Sequence, residues 1–484
     1  MKKLSKFLLL LLAFIYAGDI YAQGNTTSSI NGVVYDSQNK SLPGATILAV
    51  HEASGSRYST TTDFDGHFRI SNMRVGGPYK IEVTFVGFTT YTESGVYLQL
   101  GDSKNLKVVL KDETNQLSEV VVVGKKDPTF NSKKTGAQTI IDHDKINELP
   151  SLSRNIADFA RLTPQAQLRG DDQISIGGQN NRFNAIYIDG AVNNDVFGLA
   201  ANGTNGGQTG VSPISLDAIE QFQVSVSPYD VKLSGFAGGA ISAITRSGTN
   251  NFDGSAYFLY RDQSLAGKTP TRNGSGVERK RLGDFTAQTY GVRAGGAILK
   301  DKLFYFINYE KQENDTPQPF DIANYIGTTK AAGLETLSNF LINTYGYNPG
   351  TYQNNKLSLT SDKIIAKIDW NINDNNKLSV KNSYVKATNF SPFRSSNTAI
   401  NFLNGAQSFE SITNSASLEL NTRFNNKFSN NLVVGYTTVN DDRDASGDPF
   451  PTVTIRDGVG ATIYFGSEAS STANLLNQRV LTIT

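Results

Sequence analysis

The sequence predicts a mainly β protein in three parts: a small β-sandwich, an α/β domain, and the first part of a transmembrane antiparallel β-barrel. Three observations carry this. Short β-rich runs separated by turn clusters fill the first hundred residues, a mixed strand and helix pattern follows, and from residue 251 long alternating strands take over. Composition agrees, because 44 Gly, 21 Tyr and 27 Phe against one Trp favour turns and pleated surfaces. With 45 Lys and Arg against 44 Asp and Glu, the 484-residue chain has a net charge of +1 and no excess of basic residues for a nucleic-acid partner. The absence of Cys excludes disulfides, thiol catalysis, Cys-ligated metals and lipid attachment through an N-terminal cysteine. Three His leave little for a metal site, and neither a cofactor nor a metal is expected.

Residues 1–22 read as a secretory signal. Lys2, Lys3 and Lys6 precede an apolar run over 7–17, and Ile20-Tyr21-Ala22 offers the small residue a signal peptidase needs. The mature chain is expected to start at Gln23. Asp19 and the short run argue against an anchor, and no later segment is apolar for the roughly 20 residues a spanning helix needs. A membrane location would therefore require a barrel.

Residues 23–112 contain β-rich runs at 30–35, 45–50, 58–62, 68–70, 79–86 and 106–110, with Asp65-Gly66 as a tight-turn signal, which indicates two small packed sheets. Leu42-Pro43-Gly44-Ala45, Thr62-Asp63-Phe64-Asp65-Gly66-His67-Phe68 and Tyr79-Lys80-Ile81-Glu82-Val83 with Gly87-Phe88 resemble the carboxypeptidase-regulatory-like domain at the front of many Bacteroidetes outer-membrane receptors. No HExxH or comparable zinc constellation accompanies it, so peptidase activity is not expected.

The linker 113–129 holds Leu117, Ser118, Glu119, Val120, Val121, Val122 and Val123 between polar stretches, ahead of Pro128. The valine run has high β-propensity, and its polar flanks isolate it from an obvious hairpin partner. Two readings follow: an unpaired segment suited to joining another protein's sheet edge, or an ordinary strand of the preceding sandwich. The run resembles the TonB box of TonB-dependent receptors, which favours the first and implies that these seven residues bind TonB.

Residues 130–248 predict a short strand at 139–141, a helix over 144–149 stopped by Pro150, and a second helix capped by Ser153 that runs to Leu162 before Thr163-Pro164. Further elements follow at 174–178, 182–190 and 219–224, and a Gly-rich run over 235–248 leads into a new strand. Gly177-Gly178, Arg182, the Asp189-Gly190 pair and Gly238-Gly239 resemble recurring elements of the plug domain of the same receptors. Gly-rich strands also permit close backbone approach in a packed lumen. The Gly- and Asn-rich run 199–210 reads as a mobile loop, either an apical loop that touches ligand or a solvated linker.

Over 249–484 the barrel pattern is clearest at 362–372, where Ile364, Ala366, Ile368, Trp370 and Ile372 alternate with Ile365, Lys367, Asp369 and Asn371, and at 409–424. Strands at 253–262, 303–310, 377–386 and 431–441 are less regular. Connections at 262–285, 311–360, 389–408 and 441–472 are long, and those at 300–302, 373–376 and 425–430 are short. This alternation suits a barrel with short periplasmic turns and long external loops. Gly267-Lys268-Thr269 lacks the leading Gly of a phosphate loop, because Asp262 stands there. Asp441-Asp442-Arg443-Asp444 reads as a solvated acidic loop rather than a calcium site.

The order of parts resembles a TonB-dependent outer-membrane receptor of the Bacteroidetes, of the branch called Oar-like. The resemblance implies transport of an external, unidentified ligand, no enzymatic activity, TonB and its inner-membrane energising complex as partners, contact with outer-membrane lipid, and a periplasmic N-terminal domain. A surface lipoprotein is a further partner the resemblance allows. A secreted or surface-attached β-sandwich adhesin is the alternative. Family barrels have more strands than these, so the sequence is expected to be an N-terminal fragment whose reading frame continues past Thr484.

Overall fold

A computed structural model describes residues 24–113, 120–122, 138–149, 151, 154–170, 173–226, 236–268, 281, 283–467 and 474–483. The expected signal 1–22, Leu117, Ser118, Glu119, Val123, Pro128, Pro150 and Ser153 lie outside the described residues.

The first part is a sandwich of strands β1 (Thr27–Tyr35), β2 (Thr46–His51), β3 (Ser56–Thr61), β4 (His67–Arg74), β5 (Gly76–Thr84), β6 (Tyr91–Leu98) and β7 (Ser103–Val109). One sheet runs β4-β1-β7, and the other begins β3-β2-β5-β6. Alternation along the strands places Ile30, Val34, Ile47, Ala49, Ile81 and Val96 in one shared, fully buried core. The Asp65-Gly66 turn joins β3 to β4, with Gly66 at φ +76° where a side chain would be strained. Strand β6 escapes sequence reading because Thr92, Glu93, Ser94 and Gly95 interrupt its apolar alternation.

Strand β8 (Val120–Val122) corrects the expectation of an unpaired segment. It runs parallel to β6, with Thr92 opposite Val120, Glu93 opposite Val121 and Ser94 opposite Val122, and so completes a sheet of order β3-β2-β5-β6-β8. The cause is an open edge and a short lead. Without β8, β6 would present unpaired backbone groups. The chain already runs beside its approach, where the Thr89 N–H donates to the Lys111 carbonyl (2.8 Å) and the Glu113 N–H to that of Gly87 (3.1 Å).

The α/β domain comprises β9 (Gln138–Asp142), α1 (His143–Glu148), α2 (Ile156–Ala160), β10 (Ala166–Arg169), β11 (Gln173–Ile176), β12 (Ala185–Ile188), β13 (Ala191–Val192), β14 (Ile219–Ser225) and β15 (Ala240–Thr245). Its main sheet has the order β13-β12-β15-β14-β9. Helix α2 is shorter than predicted and starts later. Arg154 has a left-handed φ of +50°, which no helix continues through, and Asn155 is the cap, accepting the Ala157 N–H at 3.4 Å.

The third part is a sheet of eight strands, β16 (Asp253–Asp262), β17 (Thr286–Leu299), β18 (Leu303–Gln318), β19 (Asn355–Asn373), β20 (Asn376–Ser391), β22 (Gln407–Arg423), β23 (Ser429–Ala445) and β26 (Asn474–Ile483), antiparallel and in sequence order. The face read from β19 holds: Ile364 and Ile368 are 43% and 40% exposed, while Lys363 and Ile365 are each 1% exposed. Most of these strands exceed the roughly 10 residues that cross a bilayer, so they project beyond it. The run 441–444 lies in β23 rather than in a solvated loop, and Asp441 faces inward and is buried.

The long connections also fold. Helix α3 (Ala331–Tyr345) and the small sheet β21 (Ala399–Asn401), β25 (Thr462–Phe465), β24 (Val453–Arg456) pack Leu334, Leu341, Tyr347, Ile400, Phe402 and Ile463 into a separate core. Tyr347 stacks on Phe450 with ring centres 4.0 Å apart. Buried Asp457 ties the segments together by accepting the Thr329 N–H (3.0 Å) and the Thr328 hydroxyl.

Two predictions follow from this packing. Ile368→Arg puts a charge on the lipid face at a cost of about 2–4 kcal/mol near mid-bilayer, so the yield of heat-modifiable, membrane-inserted protein should fall, whereas Lys367→Ile should insert normally. Equal yields would contradict the register. In the sandwich, burial, helped by the Arg74 guanidinium, pushes the His51 imidazole down to about 3. Folded His51 thus stays neutral while the unfolded residue protonates near 6.5, so stability is complete above about 6.5 and falls by about 1.4 kcal/mol per pH unit on acidification towards 3. Protection factors of the β2 and β5 amides, corrected for the intrinsic exchange rate at each pH, should fall between pH 6.5 and 4, and His51→Gln should flatten that dependence.

Candidate functional site

The α/β domain lies against the inner face of the eight-stranded sheet, and polar knots fix it there. In the first, Asp189 follows β12 with φ +47° and aims its buried carboxylate at three donors. It accepts the Thr245 N–H (2.8 Å) and hydroxyl (2.7 Å) at the end of β15 and the Lys381 ammonium (2.8 Å) of β20. Lys367 of β19 donates to the carbonyl and the hydroxyl of Thr245, both at 3.3 Å. Burial opposes ionisation of Asp189, but the ammonium groups of Lys381 and Lys367 outweigh it and hold the carboxyl below its ordinary range.

The second knot centres on Glu310 of β18, 1% exposed. Its carboxylate accepts from Lys363 (2.9 Å) of β19, Tyr257 (2.5 Å) of β16 and, from the α/β domain, Ser215 (2.9 Å) and Arg154 (3.5 Å). The third joins Arg293 of β17 to Asp217 of the α/β domain at 3.1 Å and to Asp253 of β16, which also pairs with Arg246 at 2.9 Å. Apolar contact involves fewer residues: Phe306 and Ile365 enter the buried cluster around Phe222 and Ile241, and Val385 and Ala387 of β20 pack on Val211.

Run 199–210 is not a mobile loop. Asn202, Thr204, Asn205 and Thr209 are buried. Gln208 donates to Asp441 (2.9 Å), Gln478 donates to Asn205 (3.1 Å), and Asn389 donates to the Thr209 carbonyl (3.3 Å), so the loop is bound to β23, β26 and β20. A Cβ on Gly206 would come within 2.9 Å of both the Thr413 and Ser411 hydroxyls, which explains a glycine there.

The plug-like motif divides. Asp189 and Gly190 occupy the first knot, where a Cβ on Gly190 would meet Thr26 at 2.7 Å. A Cβ on Gly239 would meet Ile176 at 2.6 Å and one on Gly238 would meet Asn184, whose amide oxygen accepts the Gly239 N–H (3.1 Å) and whose amide N–H donates to the Ile174 carbonyl (2.7 Å). Gly177, Gly178 and Arg182 stand instead at exposed turns. Sequence reading missed Thr245, Glu310, Lys363, Lys381 and Asn184. An inward-facing charge on an alternating strand is the available signal, and the sequence shows it most plainly at Lys367 and Asp369.

The sandwich covers the side of the short turns. Asn371 donates to Ser56 (2.9 Å), Lys377 to the Arg57 carbonyl (3.2 Å), Asn426 to Thr61 (2.7 Å) and Asn72 to the Asn430 carbonyl (3.0 Å). It also reaches the α/β sheet, where Gln221 accepts the Leu100 N–H at 2.7 Å. A cavity of about 100 Å³ remains at the junction, where Arg74, Asp189, Glu220 and Lys367 stand beside Ile244 and Phe304.

Asp189→Asn should test the first knot. It leaves Lys381 and Lys367 buried without a counter-charge, at a cost of roughly 3–5 kcal/mol. The α/β domain should become protease-sensitive at lower urea while heat-modifiable migration of the barrel is retained. Unchanged protection would remove Asp189 from the seat.

Residues 29–111 match the family described as carboxypeptidase regulatory-like domain, 131–241 the TonB-dependent receptor plug domain, and 244–323 the outer membrane beta barrel domain. The TonB-dependent transporter Oar of Myxococcus xanthus is 28% identical over 312 residues, 61% of this chain and 27% of that protein. The TonB-dependent receptor SusC of Bacteroides thetaiotaomicron is 30% identical over 258 residues, 51% of this chain and 23% of that protein. The outer membrane transporter YddB of Escherichia coli superposes with a TM-score of 0.49 at 16% identity, covering 71% of this chain and 44% of that one. The chain thus spans about a quarter of the length of the curated relatives it matches. These three domains in this order, with the matches to TonB-dependent transporters, support a TonB-dependent receptor of the outer membrane that carries a carboxypeptidase regulatory-like domain ahead of its plug.

Proposed function

We propose that this receptor actively transports an unidentified external ligand across the outer membrane. In this reading TonB, driven by its inner-membrane complex, binds residues 117–123 and pulls. The observation that carries the reading is the seat of the plug. A domain placed against the lumen wall through Asp189, Glu310 and Arg293 is held by ionic and hydrogen bonds that water can replace one by one as it enters. A plug that must yield to a pull and then reseat needs contacts of that kind. A continuous apolar seal would have to expose its whole buried area at once.

The folded outer loops supply a preformed surface for ligand, and Gly177, Gly178 and Arg182 at exposed turns stay available for contacts that the buried half of the motif does not make. An adhesin would have no use for a charged, plugged lumen, so transport is preferred. The matched relatives are named as transporters and receptors, which supports a non-enzymatic role. A lid lipoprotein is compatible with the exposed loop surface.

Val121→Pro tests the coupling. Proline removes a backbone donor and disfavours continuous strand pairing. A strain whose growth depends on this receptor should lose growth while surface binding of its nutrient persists. Normal growth in that mutant would remove residues 117–123 from energy coupling.

A further inference from the structure

Three further features draw notice: the junction cavity, which Asp189 and Lys367 of the plug seat help to line, the exposed Asp63, Asp65 and His67 cluster, and the sandwich edge that carries β8. The cavity has mixed charge and selects no ligand class. The cluster is a turn, in which the Asp63 carboxylate is taken by the N–H groups of Asp65 (3.0 Å) and His67 (2.8 Å). The edge carries an argument.

The five-stranded sheet of the sandwich has two ends with different surroundings. At one end, β3 is covered by the turns of the barrel through Ser56 with Asn371, Arg57 with Lys377, and Thr61 with Asn426. At the other end, β8 pairs with β6 on one side only, and among the described residues no strand occupies its outer side. Four strand spacings separate these ends, roughly 19 Å at about 4.8 Å each. The fold therefore carries Val120–Val122 away from the barrel turns to the outermost position of a sheet. An edge strand exposes a row of unpaired N–H and C=O groups, and its conformation is already extended, so a partner strand need not order it.

We propose that the sandwich is a presentation platform for TonB: β8 stays in the sandwich sheet, and TonB adds an edge strand to the free side of β8, making a six-stranded sheet that spans both proteins. The proposal rests on the reading of residues 117–123 as the TonB-binding segment and adds where and in what form they are held. It opposes sequestration, in which TonB must first peel β8 from β6.

These 484 residues contain no Cys, so a pair introduced among them meets no competing thiol there. Thr92→Cys and Val120→Cys sit opposite each other in the register, within reach of a disulfide. The probe is the purified periplasmic C-terminal domain of TonB from the same organism, titrated against the full-length receptor with the pair oxidised and reduced. Presentation predicts that a quantitative cross-link forms and that the Kd changes by less than about threefold on oxidation. A loss of about tenfold or more on oxidation, reversed by reductant, would overturn presentation in favour of peeling. Failure of the pair to cross-link would overturn the β6–β8 pairing and the proposal with it. Absence of binding in both redox states, with wild type also silent, would instead remove the reading of residues 117–123 and so the basis of the proposal. Binding that fails only in the variant, even when reduced, is checked with Ser94→Cys and Val122→Cys, the next pair in register, for which the same two outcomes decide.

Discussion

Hydrocarbon offers no hydrogen bonds, so every backbone N–H and C=O that crosses it must find a partner within the protein. The eight consecutive antiparallel strands satisfy this constraint along their shared ladders, and much of the remaining architecture follows. A sheet with one face to lipid turns alternate residues to its other face, and here these include Lys363, Lys367, Lys381, Arg293 and Glu310. Buried charges need counter-charges and donors. The plug supplies them with Asp189, Asp217, Ser215 and Arg154. The same side chains that complete the barrel's electrostatics therefore hold the plug in place.

That arrangement sets how the seat can open. Phe306 and Ile365 are the barrel residues in the plug's main apolar cluster, while each charged knot is built from a few hydrogen bonds. A buried ion pair gains little over separated, hydrated charges, because desolvation offsets much of the Coulomb attraction. A seat of this kind is specific in position yet exchangeable with water. The cavity at the junction of sandwich, plug and barrel already brings polar groups around a space that can hold a few waters.

Local pattern and non-local pairing divide what the sequence could reveal. The face of β19 was legible because a period of two shows directly in Ile364, Ala366, Ile368 and Trp370. Asp189 and Gly239 were legible as family-like motifs, although their partners were not. Nothing in the sequence near Asp189 points to Lys381, which lies almost two hundred residues away and meets it only when β20 takes its place beside β19. Strand β8 looks unpaired in the sequence because its partner, β6, is itself hidden by Thr92, Glu93, Ser94 and Gly95. In the sequence the outer loops look like plain connections, since β21, β24 and β25 have three or four residues each and share a core with α3. Likewise the Gly- and Asn-rich composition of 199–210 suggested mobility, whereas Gly206 serves close packing against Ser411 and Thr413.

The central claim is that a pull on residues 117–123 reaches a plug whose polar seat yields before the barrel does. Single-molecule force spectroscopy measures this directly, with the full-length receptor held in a bilayer and a handle attached at Val121. The account predicts that segments between Gln138 and Thr245 extend first, with every strand from β16 to β26 still in place. Extraction of a barrel strand before or together with the plug would contradict it.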